Sequence, residues 1–342
     1  MRIAVVSPPW LRTPPLRYGA VETIVSSLTE GLVARGHDVT LFASGDSLTS
    51  AALRSYYPRA LYETGDEQNG TLEVMHALSA YRSIEEFDLV HDHSDTVGMA
   101  IASFAGASRP VVHTMHAPSR SPWFGPVYQA TGDHVHLVAI SQAQIKDAPG
   151  IRYADMIHHG IPVGRFTFRE EKEDYCLFVG RLSPKKGLDL AIKAARKAGR
   201  RLVIACKEIA GSIERTYFDE VIQPLLGPDV EFLGEANFEE KVDLYSRAFC
   251  TLVPTRWEEP FGLTAIESLA CGTPVVGLSR GATAELIDHG RTGFLTHDPD
   301  ELADHLADVP GISPAECRRV AVEQFSETMM ISRYEDLYRR LI

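Results

Sequence analysis

Short β-branched runs alternate with amphipathic stretches along the chain, and this alternation constrains the fold more than any other feature. Residues 2–6 (RIAVV) read as a strand. Val21, Ile24, Val25, Leu28, Leu32 and Val33 follow at helical spacing, and Gly36 ends that helix before a second strand, DVTLFAS. FDLVHDH (87–93), PVVHTMH (110–116) and HLVAIS (136–141) continue the series. The pattern then restarts with YCLFVG (175–180), a helix over 187–198, RLVIACK (201–207) and VEFLG (230–234). A helix near 238–248, CTLVP (250–254), a helix from 262 and PVVGL (274–278) complete it. Strands alternating with helices predict a parallel sheet covered on both faces, and the restart predicts two such sheets. The segment HHGIPVGRFTFREEKED, rich in Gly, Pro and charge, marks the expected boundary, giving lobes over 1–165 and 166–325. The last helix (326–342) carries Met329, Met330, Tyr334, Leu337, Tyr338 and Leu341 as its apolar side and is expected to cross back to the first lobe.

A chain of 342 residues exceeds what one core organises, which agrees with two lobes. Its 46 acidic and 34 basic side chains leave a net charge of −12, which argues against a nucleic-acid groove. The charge divides as −4 for 1–165 and −8 for 166–342, so an anionic ligand must be held by a few placed cations. No polybasic patch and no apolar run of membrane length occur, so no integral membrane association is expected. The five cysteines form no Cys-x-x-Cys pair and read as buried reduced thiols, as expected in a cytoplasmic protein. MRIAVVSPPW is too short an apolar start for a signal peptide.

In open parallel sheets, ligands bind outside the carboxyl ends of the strands, so the chemistry is sought there. After the first strand comes VSPPWLRTPPLRYGAVE, a loop ending in Gly19 and Ala20 before a helix carrying Glu22. Amides at a helix start attract anions, although four prolines could equally make this a plain stiff loop. VGRLSPKKGLDL (179–190) ends a strand at Gly180 and places Arg181 and Lys186 before a helix opened by Gly187. A planar fork and a compact ammonium suit a diphosphate, or the segment is a solvated basic turn. TRWEEPFGLTAIESLACGTPVV (255–276) places Glu259 in a loop and Glu267 more than one turn into the next helix. No Lys or Arg lies between them, so they form no simple helical ion-pair ladder. Such carboxylates are surface residues, or they accept hydrogen bonds from sugar hydroxyls.

Together, a Gly-containing first loop, GRLxxxKG and ExFGLxxxE followed by ACGTPVV, in that order across two α/β lobes, closely resemble glycosyltransferase family 4. FDLVHDHS, HTMHAP and VAISQA are weaker echoes. The resemblance implies the GT-B fold, two Rossmann-like parallel-sheet domains facing across a cleft. It implies a retaining transferase that takes a hexose from a nucleotide diphospho-sugar, UDP-sugar foremost, as co-substrate. It also implies roles. Arg181 and Lys186 would hold the diphosphate, Glu267 the ribose hydroxyls, and Glu259 the transferred sugar. His116 would face that sugar across the cleft. Gly19 and Ala20 would bring amides close to phosphate or sugar, and the turn of Phe261, Gly262 and Leu263 would offer more. Leu233 or its neighbours would meet the base through main-chain hydrogen bonds.

The chain departs from the family in places. Gly19-Ala20 stands where paired glycines are usual, and His159-Gly160-Ile161-Pro162 where Asn-Gly-Val-Asp is frequent. ACKE (205–208) replaces a Gly-rich turn, so Lys207 either adds charge near the nucleotide or is a solvated turn residue. Eight of thirteen histidines fall between His91 and His159. Strand alternation sets Asp92 opposite His91 and His93, no HExxH occurs, and no metal site is expected. These histidines read as strand-end residues satisfied by main chain. Asp298-Pro-Asp300 reads as a helix cap.

A small soluble hydroxyl acceptor, an oligosaccharide or a natural-product intermediate, is expected from the lack of basic patches. Trp10, Arg12, Arg17 and Tyr18 in one loop, and Trp123, Phe124 and Tyr128 in another, offer stacking surface for it. The expected state is monomer or homodimer. A nucleotide-sugar epimerase or hydrolase, and a non-catalytic nucleotide-sugar-binding protein, remain as alternatives.

Overall fold

The computed structural model describes residues 1–65, 70–94, 96–105, 108–120, 125–207 and 211–342. The chain forms two compact units, Met1–Gly160 with Glu327–Ile342, and Ile161–Ser326. The division falls slightly ahead of the expected 165/166. The Ile161 amide donates to the Phe325 carbonyl at 2.9 Å, and Phe166 packs edge-on to Phe238, so this stretch already belongs to the second unit.

The first unit holds a seven-stranded sheet of β1 (Arg2–Val6), β2 (Asp38–Phe42), β3 (Ala52–Arg54), β4 (Leu89–Asp92), β5 (Val111–Thr114), β6 (Val135–Ala139) and β7 (Tyr153–Met156). Its order is β3-β2-β1-β4-β5-β6-β7 and every pairing is parallel. The second unit holds β8 (Tyr175–Arg181), β9 (Arg201–Lys207), β10 (Val230–Gly234), β11 (Cys250–Val253), β12 (Val275–Leu278) and β13 (Gly293–Thr296). Its order, β10-β9-β8-β11-β12-β13, is also fully parallel. β4, β5 and β12 are buried along their whole length, because helices cover both faces. In each sheet the chain reverses its direction of travel once, between β1 and β4 and between β8 and β11. The loops leaving those strands flank a crevice there.

The helix Glu327–Leu341 belongs to the first unit and packs on the helix Ala20–Ala34. Contact is close because Gly31 lacks a side chain; a Cβ there would lie 2.1 Å from Ile331 Cδ1. Glu335 fastens the pair by accepting from Arg35 and from His37 Nε2 at 2.7 Å. All five cysteines are buried and free. Among the described residues no helix is long and apolar enough to cross a membrane.

Candidate functional site

In the second unit the site grows from the two loops at the β8/β11 reversal. β8 ends at Arg181, and a short turn through Pro184–Lys186 leads to Gly187 and the helix Leu188–Lys197. Gly187 has φ +74°, and a Cβ on it would lie 2.1 Å from the Pro254 carbonyl oxygen, so only glycine lets the two loops meet. The loop after β11 then folds over the first. The Arg256 amide donates to the Lys185 carbonyl at 2.8 Å. The Arg256 guanidinium grips both oxygens of Asp189 at 2.7 Å and donates to the Pro184 carbonyl at 3.1 Å. Burial pushes the Asp189 carboxyl up, but hydrogen bonds from Arg256 and Tyr217 outweigh it and hold the group below its ordinary range.

Glu259 and Lys186 meet across these loops. Lys186 Nζ lies 2.5 Å from Glu259 Oε2, and the same oxygen accepts Trp257 Nε1–H at 2.8 Å. The ammonium groups of Lys185 and Lys186 stand 5.6 and 5.3 Å from the Trp257 ring centre. Gly262, at φ +109°, turns the chain into the helix Leu263–Ala270. Gly262, as N-cap, has no side chain to bond the helix start, and the Ala265 amide donates to the Gly262 carbonyl at 3.0 Å. Phe261 is buried against Phe325; only its main chain can reach a ligand.

Glu267 sits one turn along that helix and is also buried. Lys241 Nζ reaches its Oε1 at 2.6 Å and the Tyr245 hydroxyl donates to Oε2 at 3.1 Å. Burial, and then Glu267 itself, push the Tyr245 hydroxyl well above its ordinary range. Each glutamate of the motif thus has its own lysine, drawn from a distant part of the chain. The Arg181 side chain is exposed and makes no hydrogen bond or ion pair among the described residues. Lys207 stands opposite it in register at the end of β9; the Lys207 side chain lies outside the described residues. Leu233 is the half-exposed extra residue of a bulge on the edge strand β10, where the register slips between Phe232 and Gly234.

Gly19 and His116 belong to the first unit. Gly19 precedes the helix Ala20–Ala34 in extended backbone, and a Cβ there would lie 2.7 Å from Pro15. His116 follows β5 and joins a column of imidazoles. The tilted rings of His91 and His93 have centroids 4.0 Å apart, His93 Nδ1 is 3.0 Å from His116 Nε2, and His116 stacks on His159 at 5.1 Å. His91 bonds the Tyr338 hydroxyl at 2.6 Å and the Thr114 hydroxyl at 2.7 Å. Side chains, not main chain, bond His91 and link His93 to His116, contrary to the sequence expectation for these three, while His93 Nε2 and His113 Nδ1 are buried with no hydrogen-bond partner among the described residues. Burial pushes His91, His93 and His116 well below the ordinary imidazole range, and His113 and His159 down to about 3. Asp92 lies apart, bonded to the Tyr81 hydroxyl and to Ser94. Among the described residues no three ligating side chains are grouped to hold a metal. The Asp298 carboxylate accepts the Asp300 amide at 2.9 Å, as a cap does.

Tyr128 is buried in the first unit's core and offers no stacking surface, which corrects the expectation for it. Trp123, Phe124 and Asp95 lie outside the described residues. Sequence reasoning misses Trp257, Arg256, Asp189, Lys241 and Tyr245. Trp257 and Arg256 adjoin the glutamate motif, which is the one signal that could draw attention to them.

Two Rossmann-ordered units, one carrying this carboxylate and lysine cluster at its strand ends, define a glycosyltransferase of the GT-B class. The model for glycosyl transferases group 1 matches residues 165–311, and that for Glycosyltransferase Family 4 matches 20–165. The chain belongs to glycosyltransferase family 4. It is 28% identical to a glycogen synthase of Mycobacterium tuberculosis strain H37Rv, over 94% of this chain and 88% of that one. It is 28% identical to AviGT4, a glycosyltransferase involved in avilamycin A biosynthesis, with a TM-score of 0.73 over 99% of this chain and 97% of that one. Anabaena HepE, solved in complex with UDP-glucose, shares the fold at a TM-score of 0.76 and 21% identity, over the whole of both chains.

Proposed function

We propose that the protein is a retaining, metal-independent glycosyltransferase that moves a hexose from a UDP-sugar to a hydroxyl of a small soluble acceptor in the cytoplasm. The acceptor class is an oligosaccharide or a natural-product intermediate, in line with the avilamycin and glycogen connections of the two relatives. The observation that carries the reading is the Lys186–Glu259 pair at the mouth of the helix Leu263–Ala270. Lys186, with Arg181 five positions before it, supplies the positive charge that a departing diphosphate requires. Glu259 accepts sugar hydroxyls through the oxygen that Lys186 and Trp257 leave unused. Glu267 receives the ribose diol, and the bulge at Leu233 meets the base.

In this reading the bond from the anomeric carbon to phosphate breaks with oxocarbenium character. Electrons pass to the diphosphate, and Arg181 and Lys186 stabilise it. The acceptor oxygen attacks from the same face and its proton passes to the leaving phosphate. The test is donor turnover, with UDP-glucose as first donor, against an oligosaccharide and aglycone panel read by mass spectrometry. A glycosylated product with retained configuration, formed at the same rate in EDTA, is the expected result. Free epimerised nucleotide sugar without acceptor would replace this reading with an epimerase.

A further inference from the structure

We infer that Trp257 is the positioning residue of the donor site, holding Glu259 and Lys186 in place when the diphosphate separates them. The inference rests on the reading of Lys186 and Glu259 given above. In the structure the two neutralise each other at 2.5 Å. A bound diphosphate competes for the Lys186 ammonium, and Glu259 then loses its charged partner. Its carboxylate is buried, so it needs another donor to keep its direction. Trp257 Nε1–H already bonds Oε2 at 2.8 Å and does not depend on the nucleotide. The indole ring meanwhile offers its π-system to the ammonium groups of Lys185 and Lys186, 5.6 and 5.3 Å from its centre. The loop that carries Trp257 is itself anchored, through Arg256, to Asp189 and to the Pro184 and Lys185 carbonyls. One side chain therefore serves two ligands by different chemistry: the N–H steers the sugar-binding carboxylate, and the ring steadies the phosphate-binding lysines.

The two functions separate by substitution. Trp257→Phe keeps a ring face and removes the N–H; Trp257→Leu removes both. Calorimetric titration with UDP and with UDP-glucose, plus donor hydrolysis without acceptor, reads each part. Trp257→Phe is expected to bind UDP within about twofold of the parent and to lose about tenfold in UDP-glucose hydrolysis at saturating donor. Trp257→Leu is expected to show the same hydrolytic loss and, in addition, UDP binding weakened by about fivefold. A merely structural role would move both ligands together and lower the unfolding midpoint in both variants. Lys186→Ala is the reference. If it weakens UDP binding while both Trp257 variants behave as the parent, the Trp257 inference is wrong and the site reading stands. If Lys186→Ala binds UDP as tightly as the parent, or the parent binds no UDP, the site reading fails and the inference falls with it.

Discussion

Lys186 Nζ and Glu259 Oε2 lie 2.5 Å apart, although 73 positions separate the residues in the chain. Each is the other's counter-charge until a ligand replaces it. Removing either should therefore disable the chemistry more than the fold. Lys186→Ala is expected to lower transfer at least 100-fold and to cost about 2–3 kcal/mol in unfolding free energy, because it leaves a buried carboxylate with the Trp257 N–H as its neutral donor. Glu259→Ala should abolish transfer with intact secondary structure. Circular dichroism and donor turnover measured on the same preparations check this. Near-parental turnover in both variants would remove these residues from the site.

Lys241 and Glu267 make the second pair, with Tyr245 as the third member. Lys241→Met leaves a buried carboxylate with one neutral donor, and should cost about 2–3 kcal/mol in urea unfolding. Glu267→Gln keeps the shape and the Tyr245 bond. It should raise the KM for the nucleotide sugar about tenfold with little change in kcat, since the ribose is held alike in ground and transition states. A fall in kcat at constant KM would contradict the ribose assignment.

The alternation of strands and helices exposes both sheets, because strands buried on two faces are continuously apolar and easily seen. β3, β7 and β13 escape it for the opposite reason. β3 is a three-residue exposed edge, β7 is partly exposed with a slipped register, and β13 is the short sequence GFLT. The helices Gly70–Tyr81 and Pro314–Phe325 escape it too, their apolar and polar faces being weakly separated. At the site, family likeness points to Arg181, Lys186, Glu259 and Glu267, and spacing excludes a helical ion-pair ladder between the carboxylates without naming their partners. Folding brings Lys186 from another loop and Lys241 from another helix. Pairings over such separations leave no periodic trace in one sequence.

Gly187 and Gly199 both adopt left-handed backbone, at φ +74° and +68°, but in different surroundings. A Cβ on Gly199 meets nothing within 4 Å, so Gly199→Ala should cost only the conformational term of about 1 kcal/mol. On Gly187 the methyl would collide with the Pro254 carbonyl, which belongs to the loop leading to Glu259. Gly187→Ala should cost about 3 kcal/mol or more and should also weaken UDP binding, because the Lys186 loop must shift. Paired urea curves and UDP titrations test this. Equal destabilisation of the two variants would mean that the loop contact carries no weight.

The histidine column predicts an acid-sensitive first unit. His91, His93 and His116 sit well below the ordinary imidazole range, and His113 and His159 at about 3, with burial the leading cause in each. Their neighbours are neutral: His91 faces Thr114, Tyr334 and Tyr338, and His93, His116 and His159 face one another. Folded pKa values below the unfolded one mean that the unfolded chain takes up protons first as pH falls. Stability is thus complete above the ordinary imidazole pKa and drains away below it, by up to about 1.4 kcal/mol per pH unit for each histidine. Paired carboxylates such as Glu316, held at about 2 by Arg319 and Arg291, lose their contribution only below the carboxylate range. Asp92, raised by burial, acts with the opposite sign, so the slope across the interval between about pH 6.5 and about pH 5 reports the histidines less that one carboxyl. Urea midpoints should fall steeply across it, and His113→Asn should flatten the slope by one histidine's share. A midpoint constant over that interval would mean that the column accepts protons without opening.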